Sequence, residues 1–316
     1  MNLLEMAEQI ISENDLDQMT EKQYRRSMRR LGEFLGRTPE IEDLTYDCMN
    51  KFLAWLADVR GNSRVTVKSY RSGVTRVWNY AAMLGLCDFY DRRRLKSPKL
   101  SYGPPVAWNP EAINALLRGA QKVEGELRCG IKASDMLCAW ILVGYQSGMR
   151  PIDLRLLKWE SIDFDRKIIQ ITQNKTGKPH TACFDDVCSA ALKAISKPKR
   201  EHVFPLKKWG MRRWTLILFD AAEEFGFRHT FRQGLGVLRK SHGTEVCRQS
   251  GLHVAAESLG HVSGSRIARA HYVAPEALRP GTLPPPLPTK TRQTRQTSQS
   301  VNQSSSDSIR RTIDAK

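Results

Sequence analysis

Residues 144–165 read GYQSGMRPIDLRLLKWESIDFD, and the reading of this stretch decides the fold. The pair Ser147-Gly148 ends one helix, Arg150 follows in the turn, and Pro151 opens a second, amphipathic helix that carries Leu154, Leu157 and Trp159. Proline is tolerated at a first helical position because its missing N–H has no intrahelical partner there. A guanidinium group presents a planar fork of donors that can meet an anion.

Working outward, RKIIQITQ and PHTACF flank NKTGK. A run rich in β-branched residues, a Gly-containing turn and a second short run predict a β-hairpin with Asn174, Lys175, Thr176 and Gly177 at its tip. On the other side, WNPEAINALLRGA predicts a helix capped by Asn109 with Pro110 in its first turn. The preceding RRRLKSPKLSYGPPVAW, with three prolines, a glycine and a basic start, reads as a linker. Helical signals resume near residue 185 and continue to Leu278.

The N-terminal region reads as helical throughout. TEKQYRRSMRRLGEFLG is expected to start at Thr20 and close at Gly36, with Arg25, Arg26, Arg29 and Arg30 on its polar surface. TYDCMNKFLAWLADVRG is expected to end at Gly61. Ser63 caps a third helix, on which Val67, Tyr70, Val74, Val77, Trp78 and Ala81 recur at helical spacing. The expected organisation is a helical bundle over 1–95, a linker over 96–107, a second domain over 108–278 and a disordered tail over 279–316. That tail has neither periodicity nor apolar content. The fold class is mainly α with a small β-hairpin or sheet.

The 316 residues carry 50 Lys and Arg against 33 Asp and Glu, a formal charge of +17. Such an excess implies an anionic partner, nucleic acid before membrane. Hydrophobic content of 41% supports a sizeable core. No apolar run reaches bilayer length, and the acidic, amphipathic start is unlike a secretory signal. The seven cysteines form no CxxC pair, so they read as reduced thiols in a cytoplasmic, nucleoid-associated protein without a zinc site. No P-loop and no carboxylate cluster suited to two magnesium ions is present.

Together SGMRPIDLRLLKWESID, the hairpin lysine, VLRKSHGTE, LGH and ARAHY resemble the tyrosine recombinases, or phage-type integrases. The first-arginine motif of that family has a glutamate three residues after the arginine, where this chain has Asp153. The resemblance implies a helical core-binding domain followed by an α/β catalytic domain. It assigns catalytic roles to Arg150, Lys175, Arg239, His261 and Tyr272, with Lys178 close enough to compete with Lys175. A literal His-x-x-Arg at His229 and Arg232 lies too far before His261 to serve. The histidine usual three residues before the second arginine is replaced by Gly236, and Tyr272 lies slightly farther from His261 than is common.

That resemblance implies site-specific recombination: cleavage and rejoining of duplex DNA through a 3′-phosphotyrosyl ester, without metal or ATP, by a tetramer assembled on DNA. Arg25, Arg29, Arg92, Arg93, Lys178, Lys240 and His242 are the further candidates for DNA contact. Each residue alone has a plainer reading, as a solvated charge, a buried histidine or a half-buried aromatic; order and context across four segments favour the catalytic one. Two alternatives stay open: a DNA-binding relative that has lost catalysis, and a type IB topoisomerase.

Overall fold

The computed structural model describes residues 2–100, 103–197, 199–230, 233–260 and 265–278. The chain divides into two units, with the boundary between Gly103 and Pro104.

Among its described residues the first unit contains four α-helices: α1 (Leu3–Glu13), α2 (Gln18–Leu35), α3 (Tyr46–Asp58) and α4 (Arg64–Met83). Each N-terminus is closed by a side-chain acceptor on otherwise orphaned N–H groups. Asn2 and Glu5 form a capping box on α1, Thr45 accepts from Cys48 on α3, and Ser63 accepts from Thr66 on α4. Helix α2 begins earlier than the sequence predicts. Asp17, not Thr20, is its cap, because the Asp17 carboxylate accepts from both Met19 and Thr20. The buried faces of these helices, including Leu3, Ile10, Met28, Leu31, Phe52, Tyr70, Val77 and Trp78, form one core. The segment after α4 is pinned to the bundle. Buried Arg71 donates to the carbonyl of Lys96 at 3.0 Å, and Asn50 exchanges hydrogen bonds with Arg94 and Lys96.

The second unit begins with α5 (Pro110–Lys122), capped by Asn109 with Pro110 at its start, and α6 (Ala133–Ser147). Helix α6 is nearly all apolar and lies at the centre of this unit, packed by α5 and α8 (Asp186–Ala194) and by α10 (Val237–Ser250). Trp140, at 1% exposure, sits edge-on to Phe204 within it. The amphipathic run after Arg150 gives less helix than expected. Helix α7 covers only Pro151–Arg155, and Trp159 falls in a separate 3-10 turn. The chain turns there so that β1 (Ile162–Asp163) can pair with the hairpin.

The hairpin strands are β2 (Ile168–Thr172) and β3 (Pro179–Cys183), and β1 makes them a three-stranded antiparallel sheet in the order β1-β2-β3. Ile169 pairs with Ala182 and Ile171 with His180. Strand alternation sends His180 and Ala182 inward. Helix α9 (Lys208–Glu223) packs on α5. The short α11 (Leu252–Ser258) and α12 (Ser265–His271) close around a small satellite core of Cys247, Ala255, Leu259, Ala268 and Val273. Among the described residues no helix is long and apolar enough to cross a membrane.

Candidate active site

Arg239 lies on α10 and is 2% exposed. A buried guanidinium is costly unless its donors are used, and two carbonyls at the ends of other segments use them. Nη1 donates to the Gly148 carbonyl at 2.6 Å and Nη2 to the Leu259 carbonyl at 2.7 Å. The end of α6 and the end of α11 are thus tied to one side chain. Burial pushes the Arg239 guanidinium down to about 10, and the nearby charge of Arg150 acts in the same direction. It remains a cation at neutral pH.

Arg150 caps α7 with extended backbone geometry, so its side chain leaves the helix start. Its Nη1 donates to Oε1 of Gln173 at 2.8 Å. Gln173, 1% exposed, is the last residue before the hairpin turn, and its Oε1 also accepts from the Thr176 hydroxyl at 2.8 Å. Asp153, one turn after Arg150, is buried; its Oδ1 accepts from the backbone N–H of Asn174 at 2.9 Å, and its Oδ2 lies 3.9 Å from Arg150 Nη1. The first arginine and the tip of the hairpin are therefore one hydrogen-bonded assembly. Lys175 stands exposed on the turn that this assembly holds.

Two histidines lie against the arginines. His180, 6% exposed on β3, is kept below its ordinary pKa by burial; the Ser147 backbone opposes this, and the charges of Arg239 and Arg150 reinforce it. Its Nε2 is buried with no hydrogen-bond partner among the described residues. His242, one turn after Arg239 on α10, donates from Nδ1 to the Tyr145 carbonyl at 2.8 Å, and its Nε2 is 3.2 Å from the Ser258 hydroxyl. Burial pushes His242 down to about 4, so it is neutral at physiological pH. With both ring nitrogens engaged inside the protein, His242 braces α6 against α11.

Close approach dictates two glycines here. Gly148 has φ +60, and a Cβ on it would fall 2.5 Å from Cδ2 of His242. Gly260, at φ +65, would place a Cβ 2.2 Å from Nε2 of Gln173 and 3.1 Å from Nδ1 of His180. The Leu259-Gly260 segment thus sits directly on the base of the hairpin.

Tyr272 follows α12 and is half-buried. The Arg239 guanidinium lies 4.8 Å from the centre of its ring, and the Tyr272 side chain, as charge and as hydrogen-bond partner, raises the Arg239 pKa against the effect of burial. The backbone here is held by Thr244, whose hydroxyl donates to the Tyr272 carbonyl at 3.4 Å and accepts from Ala274 N–H at 2.9 Å. Arg150, Arg239 and Tyr272, separated by up to 122 positions in sequence, gather at one place through α7, α10 and the end of α12.

His261 and Arg232 lie outside the described residues. Gly236, at the start of α10, is exposed, and a Cβ there would meet Pro151 Cγ at 3.4 Å. Lys178 is exposed beside the turn and Lys240 is half-buried. In the first unit Arg29 and Arg92 are exposed. Arg25 is engaged by Glu8 at 2.8 Å and Glu21 at 3.0 Å, and Arg93 by Asp91 at 3.1 Å. Among the described residues no group of three or more His, Cys, Asp or Glu side chains could hold a metal ion.

Gln173, His180 and Gly260 do not stand out as site residues in the sequence. The signal for His180 was the two-residue alternation of β3, which pairs it with Ala182 on the inner face. Gln173 carried none, since a glutamine before a turn is ordinarily solvated.

Comparisons with known proteins agree with this architecture. The Phage integrase family model matches residues 111–278, and the Phage integrase SAM-like domain model matches residues 2–90. The chain matches no curated protein. Among solved structures it is similar to a lambda integrase dimer bound to a COC′ core site, at 17% identity and a TM-score of 0.68, covering 89% of this chain and 98% of that one. A lambda integrase tetramer bound to a Holliday junction gives 17% identity and a TM-score of 0.66, over 89% of this chain and 78% of that one. The Tn1549 transposon integrase in complex with a circular intermediate DNA gives 16% identity and 0.64, over 89% and 96%. With the Phage integrase family model matched across more than half its length and the SAM-like domain before it, the chain belongs to the phage integrase family.

Proposed function

We propose that this protein is a site-specific DNA recombinase that cuts and rejoins duplex DNA through a covalent 3′-phosphotyrosyl intermediate. The observation that carries the reading is the placement of the Arg239 guanidinium 4.8 Å over the Tyr272 ring, within the electrostatic reach of Arg150. Two guanidinium groups offer forked donors to the non-bridging oxygens of one phosphate and stabilise the charge that develops on them during attack.

In the proposed step, the Tyr272 oxygen attacks the phosphorus and forms a Tyr–O–P bond while the bond to the 5′ oxygen breaks. Lys175 gives that oxygen its proton, and it leaves as a 5′ hydroxyl. The phenol proton passes to the His261 imidazole. One phosphoester replaces another, so the bond energy is kept and a second 5′ hydroxyl reverses the step. Duplex DNA is the partner, bound through phosphate contacts from a chain of formal charge +17. The lambda integrase solved as a tetramer on a Holliday junction supports assembly of four copies. Two domains are proposed, a DNA-clamping bundle over 1–95 and a catalytic domain over 108–278, joined by a 96–107 linker.

The test uses nicked duplexes tiling the DNA that flanks the coding region, in which the cleaved strand loses a short 5′-hydroxyl fragment and cannot religate. The wild-type protein is expected to form a covalent adduct that survives SDS, and Tyr272→Phe none. Equal adduct from the phenylalanine variant contradicts the proposal. A second reading, a DNA-binding relative without catalysis, is favoured by Gly236 standing where the family usually has a histidine. Specific binding by the wild type with no adduct on any duplex would select it.

A further inference from the structure

We infer that Gln173 is a positioning residue that couples the first arginine to the leaving-group lysine; the inference rests on the recombinase reading above. Nothing about a glutamine before a hairpin turn demands burial, yet Gln173 is 1% exposed. A buried amide is retained at a cost unless its hydrogen-bonding capacity is used. Here one atom, Oε1, accepts from Arg150 Nη1 and from the Thr176 hydroxyl, both at 2.8 Å. The Gln173 backbone closes the turn as well: its carbonyl accepts from Gly177 N–H at 2.9 Å, and its N–H donates to Lys178 at 2.8 Å. The amide nitrogen end occupies the space that a side chain at position 260 would need.

Lys175 is enclosed between these anchors. Thr176 on one side is bound to Gln173, and Asn174 on the other is bound through its N–H to Asp153. The lysine has four rotatable bonds and an exposed stem, so the position of its backbone is what the protein controls. Gln173 sets that position against the same guanidinium that would hold the phosphate. The charge holder and the proton donor are then registered to each other rather than to the solvent, and a displaced hairpin would cost protonation of the leaving group more than phosphate binding.

That division is measurable with a strand whose scissile bond carries sulfur in place of the 5′ bridging oxygen. A thiol of pKa about 8.5 leaves without a proton donor, whereas an alkoxide does not. Cleavage rates of the ordinary and sulfur-bridged nicked duplexes are compared for the wild type, Lys175→Ala, Gln173→Ala, Thr176→Val and Arg150→Ala. Lys175→Ala is expected to lose most of its rate on the ordinary strand and to regain it on the sulfur strand. Gln173→Ala is expected to fall about 10- to 100-fold on the ordinary strand, and to regain most of that loss on the sulfur strand. Arg150→Ala stays slow on both. Thr176→Val, on the exposed turn where folding is not at stake, removes one donor to Oε1. It is expected to lose about 2- to 10-fold, the effect of one net hydrogen bond, again regained with sulfur.

If Lys175→Ala is rescued but Gln173→Ala and Thr176→Val are equally slow on both strands, the coupling role is overturned while the recombinase reading stands. If Lys175→Ala itself is not rescued, the assignment of the lysine fails and the inference falls with it.

Discussion

At the scale of single residues, the site is defined by charges and imidazoles taken out of water. Arg239 keeps its charge under burial because two helix-terminal carbonyls and the Tyr272 ring surround it. His242 takes the opposite course and stays neutral, with a pKa pushed down to about 4 by burial. The sign of the resulting pH effect follows from linkage. Between about pH 6.5 and 4 the unfolded chain binds a proton at this position and the native chain does not, so stability falls as pH drops through that window. His180, lowered by burial and by the facing cations Arg239 and Arg150, with Asp153 opposing, adds to the same trend. Denaturant unfolding at a series of pH values is expected to show wild type losing up to about 3 kcal/mol more than His242→Asn between pH 7 and 4. Parallel curves for the two proteins would contradict a neutral, buried His242. In the sequence His242 read as a candidate for phosphate contact, because a histidine three residues after an arginine shares a helix face with it. What spacing does not convey is that the Tyr145 carbonyl occupies the ring from the far side.

At the scale of elements, the site depends on how closely the end of α6 approaches α10. Gly148 has positive φ, and the His242 ring fills the space where a side chain would go. Gly148→Ala is expected to destabilise the protein by roughly 2–4 kcal/mol through combined strain and overpacking. Replacing His242 with alanine in the same chain removes the clash but not the strain. The double variant is therefore expected to fall short of additivity by about 1 kcal/mol or more, read from the same unfolding curves. Strict additivity would show that the two residues do not meet. The helices around this junction were largely legible: the caps at Ser63 and Asn109, the apolar periodicity of α4, and the hairpin with its turn all follow from local chemistry. The start of α2 was misread because Asp17 competes better than Thr20 for the same N–H groups. The run after Arg150 was read as a longer helix because its leucines fit helical spacing. Pairing of Ile162 and Asp163 with β2, a tertiary event, ends it early.

At the scale of the whole molecule, the order of functional segments along the chain was more informative than any segment alone. Arg150, Lys175, Arg239 and Tyr272 lie on α7, the hairpin, α10 and the end of α12 of one unit. Their types and sequence order are what resemble the tyrosine recombinases. The connections among them were not legible, because the contacts that join Gln173 to Arg150, and Gly260 to Gln173 and His180, span 20 to 90 positions of chain. Net charge pointed to a polyanion, but individual surface cations are less available than composition suggests, since Arg25 and Arg93 are already paired with carboxylates. The central claim is that one phenol takes up the DNA strand, and mapping the covalent link tests it most directly. Trapped adduct from the nicked duplexes is digested with trypsin and nuclease, and the nucleotide-bearing peptide is sequenced by mass spectrometry. A single modified peptide spanning residues 270–290 is expected, because trypsin does not cut before Pro280, with a 3′-phosphate joined to Tyr272. A link to any other side chain, or through a 5′-phosphate, would contradict it.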